Sequence, residues 1–286
     1  MTLRAVLQRV AASAQDGLGR FTHKTPVDLG REFPLFQCNN SGPRDQLDAM
    51  SLDAINGVFP VLKTLACSHG DPSDPVELAS SPRSPQQERV AQSLKERFDH
   101  HGSDKSTEHD CHLLYGALCP QPEEVRRVFE IGLGSPHADM LGNMGPQGRP
   151  GASLRAFRDV FAQAEIWGAD IDRRILFQEE RIRTVHADQC SAQSLAELAA
   201  GMPHDFDLVI DDGVHGPHAN LEFLRFALVI ARRGGWIVIE DIREEAAPLW
   251  AVVAAIIPSH KPRLYRCKQG LAFAVEKGEA GAGPAS

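Results

Sequence analysis

Two pairs of acids close two apolar runs. In "DLVIDDGVH" (207–215) Asp211 and Asp212 end a hydrophobic stretch, and His215 follows three residues after Asp212. In "WIVIEDI" (236–242) Glu240 and Asp241 stand at the same place. Neighbouring strands lie about 5 Å apart, so carboxylates at adjacent strand ends repel unless they are protonated or bridged by a cation. An all-oxygen donor set suits Mg²⁺ or another hard divalent ion with open positions, and argues against zinc or copper. An imidazole beside it, with an ordinary pKa of about 6.5, is a usable base at neutral pH. Together they could deprotonate a resistant hydroxyl: the ion lowers its pKa and His215 takes the proton. The plain alternative is that Asp212 and His215 shape a turn and Glu240-Asp241 caps a helix.

These residues need a scaffold that brings strand ends together. After residue 124 apolar runs alternate with helical periods: "VRRVFEIGLG", "SLRAFRDVFAQ", "AEIWGADID", "RIRTVHAD", "SAQSLAELAAGM", "FDLVIDDG", "NLEFLRFALVIARRGG", "WIVIEDI", "APLWAVVAAII". Gly234 and Gly235 read as the cap of the helix before "WIVIEDI". "RLYRCKQGLAFAVEK" reads as a terminal hairpin. Strand–helix alternation with near-continuous apolar strands predicts an α/β fold, a Rossmann-like, doubly wound and mostly parallel sheet covered on both faces. Ligands then bind at the carboxyl ends of the strands.

The same rim carries a second set of candidates. "FEIGLG" places Glu130, Gly132 and Gly134 at the end of the first strand, where glycine lets backbone approach a ligand. Asp170 in "GADID" is placed to accept from vicinal ribose hydroxyls, while Asp172 reads as a cap. Asp188 and Gln189 in "HADQ" border an adenine-sized slot. A dinucleotide site wants a third glycine turning directly into a helix. Here "SPHADMLGNMGPQGRPGA" intervenes before the helix at Ser153. That suits a cofactor without a pyrophosphate, such as S-adenosylmethionine.

The totals limit the partners. The formal net charge of −8 over 286 residues argues against a nucleic-acid binder, which needs a basic face. No run reaches the ~18 apolar residues of a membrane span. The N-terminus, with Leu3, Val6, Leu7 and Val10 at helical spacing, reads as an amphipathic helix. Six cysteines without a C-x-x-C pair fit reduced thiols in a cytoplasm. Residues 1–95 are expected to form a helical and irregular extension serving as lid or oligomerisation arm. Within it a helix lies around 46–66 and a Ser/Pro/Asp-rich linker at 68–85. Residues 96–278 form the α/β domain and 279–286 a loose tail. The crowd of His100, His101, His109, Cys111 and His112 fits no standard zinc spacing. Trp167, Trp236 and Trp250 read as packing residues.

"GSDKSTEHDCHLLY", "FEIGLG", "GASLRAFRDVF", "IWGADID", "HADQ", "DLVIDDGVH" and "GGWIVIEDI" occur in one order over roughly residues 100–245. As a set they resemble the class I, metal-dependent O-methyltransferases of antibiotic biosynthesis that use S-adenosylmethionine. The mycinamicin-type macrolide sugar enzymes are nearest in pattern, with the cephalosporin-hydroxylase-like group related. The resemblance implies Asp212, Glu240 and Asp241 as metal ligands and His215 as general base. It implies Ser103, Glu130, Gly132, Leu133, Gly134, Ser153, Asp170, Asp188, Gln189 and Asp212 as cofactor contacts. The expected partner is a small specialised metabolite or its sugar, with no nucleic acid and no membrane, and the expected assembly is a homo-oligomer. Within the class, a carboxylate, N-hydroxy or enolic oxygen is an alternative acceptor. Outside it stand a metal-dependent hydroxylase, which needs two histidines and one carboxylate, and a non-catalytic cofactor-binding partner. The 135–150 insertion is longer than the pattern expects and reads as a lid.

Overall fold

A computed structural model describes residues 61–62, 64–65, 74–140 and 142–278. The chain divides into two units, Met1–Thr64 and Leu65–Ser286, and the elements below lie in the second. The helix expected at the N-terminus lies outside the described residues, as does the tail 279–286. Of the helix expected around 46–66, residues 61–62 and 64–65 are described, and they are helical.

Among the described residues nine strands form one sheet. They are β1 (Val76–Glu77), β2 (Arg127–Ile131), β3 (Glu165–Asp170), β4 (Gln178–Glu179), β5 (Ile182–His186), β6 (Phe206–Asp211), β7 (Ala231–Ile242), β8 (Lys261–Arg266) and β9 (Leu271–Glu276), in the order β1-β8-β9-β7-β6-β2-β3-β5-β4. The central neighbours β7, β6, β2, β3 and β5 run parallel, while β9 is antiparallel to β7 and β8. The strand order reverses between β2 and β6, the place where an open α/β sheet leaves a crevice at its carboxyl ends. This is the doubly wound, mostly parallel arrangement that the strand–helix alternation predicts.

The helices are α1 (Pro85–His101), α2 (Cys111–Leu118), α3 (Ala152–Val160), α4 (Ala192–Ala200), α5 (Pro217–Ile230) and α6 (Ala247–Ile256). Two apolar cores show which face each covers. Leu94 and Phe98 of α1, Leu114 and Tyr115 of α2 and Phe157 of α3 pack with Val128, Ile210 and Val238. Leu195 of α4, Phe223 of α5 and Trp250 of α6 pack with Phe129, Val209 and Ile237 on the other side. The alternation of strand side chains accounts for this split.

Two boundaries differ from the sequence reading. Val76–Glu77 pairs with β8, and α1 packs on α2 and α3, so residues 76–95 stand with the sheet and not with the extension. The presumed linker ends in a capping box, where Ser84 Oγ accepts from the Gln87 N–H and Gln87 closes back on Ser84 N–H. The second difference is at α5, which ends at Ile230 and not at the glycines. Residues 232–235 instead lie within the start of β7, where its pairing with β6 is irregular. Gly234, at φ 69°, donates its N–H to Lys277 O at 2.8 Å. No helix among the described residues is long and apolar enough to cross a membrane.

Candidate active site

The sheet's alternation sorts the two acid pairs. Asp211 shares a face with Val209 and points toward α5, where it is fully buried. It accepts hydrogen bonds from Asn220 Nδ2 (2.9 Å), Gln189 Nε2 (2.6 Å) and Gly213 N (3.2 Å). Burial pushes its pKa up to about 6, against those three donors. Asp211 therefore braces the turn. Asp212 takes the opposite face and borders a cavity of about 510 Å³.

The acidic end of that cavity is formed by Asp212, His215 and Asp241, each offering one ligand atom within 4.8 Å of the others. His215 Nε2 lies 3.7 Å from Asp241 Oδ2. His109 stands on the other side of the same carboxylate, with Nδ1 2.8 Å from Oδ1. That contact raises the His109 pKa to about 9 in spite of burial. For Asp241, burial works upward, but His109, His215 and Lys105 outweigh it and hold the carboxyl below its usual range. The two carboxylates at this gap fit a hard divalent ion with open positions, with the imidazole beside them, so the residues present can hold the expected metal.

Glu240 is placed elsewhere than the expected ligand set. It keeps the face of Val238 and points into the packing beneath the cavity, 2% exposed. There it accepts from Tyr115 Oη and from Lys105 Nζ. Lys105 also lies 2.6 Å from Asp212 Oδ2 and 3.2 Å from Glu130 Oε1. Burial alone would strip the Lys105 ammonium of its proton, but Asp212, Glu240 and Glu130 together raise its pKa well above the usual value.

The expected cofactor residues fall into two groups. Ser103, Gly132, Leu133, Gly134, Ser153, Asp170, Asp188, Gln189 and Asp212 all line the cavity. Glu130 does not: it is fully buried behind the wall and accepts from Ser153 Oγ at 2.7 Å. Asp170 lines the wall, but its oxygens already accept the Leu133 N–H (2.7 Å) and the Asp172 N–H (2.8 Å), which shapes the glycine loop. Asp172 caps the next turn by accepting from the Arg174 N–H, as its position predicted. At Gly132, φ 95°, an added Cβ would lie 2.0 Å from the Asp212 carbonyl oxygen. The glycine thus lets the first loop press against the acid-bearing turn. Part of the 135–150 insertion, including Met140, Met144 and Arg149, forms another stretch of wall.

Sequence reasoning passed over Lys105, His109 and Tyr115. Lys105 carried a signal, since several acids forced together need a cation and the only lysine in "GSDKSTEHD" was at hand. His109 sat in the histidine crowd, whose other members go separate ways. His101 pairs with Asp159 at 2.8 Å, His100 packs edge-on against His101, and His112 is buried. Trp250 is core, as expected.

No family model matches the chain. In sequence it is 40% identical over 121 residues to demethylmacrocin O-methyltransferase of Streptomyces fradiae, a match spanning 42% of this chain and 28% of that protein. It is 38% identical over 117 residues to mycinamicin VI 2''-O-methyltransferase of Micromonospora griseorubida, spanning 41% of this chain and 27% of that protein. The matches thus span under a third of either relative's length. Among solved structures, MycE methyltransferase from the mycinamycin biosynthetic pathway, in complex with Mg, SAH and mycinamycin VI, superposes with a TM-score of 0.53 at 25% identity, covering 68% of this chain and 57% of that one. The chain carries the class I methyltransferase fold and resembles, over part of its length, the O-methyltransferases of macrolide sugar pathways.

Proposed function

We propose that the chain is an S-adenosylmethionine- and divalent-metal-dependent O-methyltransferase acting on a hydroxyl of a small specialised metabolite or its sugar. One observation carries the reading. A single cavity joins the glycine-loop wall of Gly132–Gly134, Asp188 and Gln189 to the group Asp212, His215 and Asp241. A cofactor pocket and a proton-removing, cation-holding site thereby share one space. The relatives named above methylate oxygens, and MycE is seen with Mg and SAH, which supports both cofactors.

In this reading Asp212 and Asp241 would hold the ion, and Glu240, the third carboxylate that the sequence pattern implies, would join them only on release from Lys105. When bound, the ion supplies a Lewis acid that lowers the pKa of an acceptor hydroxyl, and the cofactor supplies a methyl group on a sulfonium. His215 takes the proton from the acceptor oxygen, its Nε2 held 3.7 Å from Asp241 Oδ2 at the edge of the cavity. Gly132 and Gly134 admit the cofactor close to backbone, and Asp188 with Gln189 bounds the adenine end. A hydroxylase would need two histidines and one carboxylate on one ion; the group here has one histidine and two carboxylates.

The test is direct. The protein is incubated with S-adenosylmethionine and glycosylated macrolide or polyketide acceptors, with Mg²⁺ or with excess EDTA, and methylated product is followed by mass spectrometry. Product with Mg²⁺ and none with EDTA is expected. Undiminished product in EDTA removes the ion from the reaction. Failure to bind S-adenosylmethionine in calorimetry sinks the whole reading.

A further inference from the structure

Behind the acidic end of the cavity lies a cation that belongs to the chain. Lys105 is 2% exposed, and its ammonium touches carboxylates of three strand ends: Asp212, Glu240 and Glu130. Two buried carboxylates, Glu130 and Glu240, and the half-buried Asp212 are costly to crowd together without a partner charge, and an ammonium offers three donors on a flexible stem. The loop that carries it is anchored from the β8–β9 tip, where Lys268 Nζ donates to Thr107 O and Gln269 Nε2 donates to Glu108 at 2.7 Å. The same loop contributes Gly102, Ser103 and Asp104 to the cavity wall.

Two of these acids have a second claim on them. Asp212 belongs to the group that can hold a divalent ion, and Glu240 is the third carboxylate of the proposed set, at present engaged by Lys105 and Tyr115. Lys105 already takes Asp212 Oδ2 and one oxygen of Glu240, and Tyr115 takes the other oxygen of Glu240, so an ion that draws on Glu240 must displace a donor already there. Glu130 is the remaining partner. Its Oε2 is satisfied by Ser153, but its buried Oε1 makes no hydrogen bond, although Lys105 Nζ is only 3.2 Å away. It is an unfilled acceptor beside the ammonium that would have to move.

We propose that Lys105 is an internal counter-ion exchanged for the metal: it holds Asp212 and Glu240 in the ion-free protein, and yields them to a divalent ion by withdrawing onto Glu130. The proposal rests on the metal-dependent reading above. The exchange keeps the cluster neutralised in both states and makes metal affinity weaker than the carboxylates alone would give. It separates Lys105 from a merely structural lysine. Deleting a structural lysine lowers stability and does nothing for metal affinity. Deleting a competitor lowers the stability of the ion-free protein and tightens metal binding.

Mn²⁺ is the probe, measured by calorimetry and by the electron paramagnetic resonance of the free ion, with thermal melts in its presence and absence. For Lys105→Met and Lys105→Gln the Mn²⁺ Kd is expected to fall about tenfold or more, since a fixed positive charge beside the ion is gone. The melting temperature without Mn²⁺ falls, and its rise on adding Mn²⁺ grows. Adding Glu240→Gln to Lys105→Met takes most of the gain in affinity away. Binding by Lys105→Met where the wild type binds no Mn²⁺ also supports the exchange. Wild-type binding with unchanged or weaker affinity in both lysine variants overturns it and leaves the metal reading standing. Absence of Mn²⁺ binding in every form sinks both. The wild type gives an independent check. In crystals grown at high Mg²⁺ the Lys105 ammonium is expected on Glu130, and a bound ion with Lys105 still on Glu240 overturns the exchange.

Discussion

His215 Nε2 faces Asp241 Oδ2 at 3.7 Å, and both residues reach that position through left-handed backbone at φ 55°. Non-glycine residues avoid this region, at a cost of order 1–3 kcal/mol each. The described residues contain four such positions: Asp110, Arg181, His215 and Asp241. Asp110 directly follows His109, which holds the other oxygen of Asp241. Three of the four therefore lie at or beside one carboxylate. An ordinary turn and an ordinary helix cap would not need that concentration of strain, which weighs against the structural alternative for these acids.

If His215 is the base, replacing it removes proton transfer and leaves the cofactor wall intact. His215→Ala is expected to lower turnover by about 10²–10⁴-fold. S-adenosylmethionine affinity by calorimetry should stay near the wild-type value. Retained turnover with retained binding takes His215 out of the chemistry.

Gly132 tests the close approach between the glycine loop and the acid-bearing turn. Gly132→Ala must place a Cβ 2.0 Å from the Asp212 carbonyl at φ 95°. A loss of at least about 1 kcal/mol in urea unfolding is expected, with weaker cofactor binding. A variant as stable as the wild type would show that the turn at Asp212 relaxes freely.

What the sequence made legible followed from periodicity. The apolar runs and helical repeats correspond to β2, β3 and β5 to β9 because the central strands bury both faces and each helix one stripe, whereas the exposed two-residue β4 left no apolar signal. The acid pairs also announced themselves as strand ends. Which acid does what was harder. Alternation sends Asp211 and Asp212 to opposite faces, and by that rule Glu240 and Asp241 should part in the same way. A register shift between Ile239 and Ile242, with left-handed backbone at Asp241, turns Asp241 into the cavity. Nothing in "WIVIEDI" signals a bulge, so Glu240 and Asp241 read as equivalent ligands. Lys105 and His109 come from a loop more than 100 residues upstream of these acids, a long-range pairing that no local pattern encodes. The end of α5 was missed because two glycines after a helix resemble a cap, whereas here they are paired with the chain after β9.

His112 gives the fold a pH dependence away from the site. It is 7% exposed, and its Nδ1 is buried without a hydrogen-bond partner. Burial lowers its pKa, chiefly by penalising the imidazolium. The unfolded chain takes up that proton at about pH 6.5. Stability from this residue is therefore complete above that pH, and it is lost as pH falls toward and through the folded-state value. His112→Leu is expected to flatten the fall in urea midpoint between about pH 7.5 and pH 5. A slope equal to the wild type's would assign the acid sensitivity to other groups.

Asp170 separates a scaffold role from ligand contact. Its position at the end of β3 predicts a partner for ribose hydroxyls, yet its two oxygens already accept the Leu133 and Asp172 N–H groups. If the carboxylate chiefly orders the glycine loop, Asp170→Ala leaves two buried donors unpaired. The cofactor-free protein should then lose about 1–3 kcal/mol. Cofactor affinity falls as well, because a disordered loop must be paid for on binding. A residue that only touches ligand leaves the empty protein unchanged and weakens binding alone. Urea unfolding of the cofactor-free variant, beside calorimetry with S-adenosylmethionine, distinguishes the two. Unchanged stability with weakened binding would restore Asp170 as a ribose contact and shift the ordering of the loop to Ser135 and Asp172, which hydrogen-bond to each other at 2.7 Å.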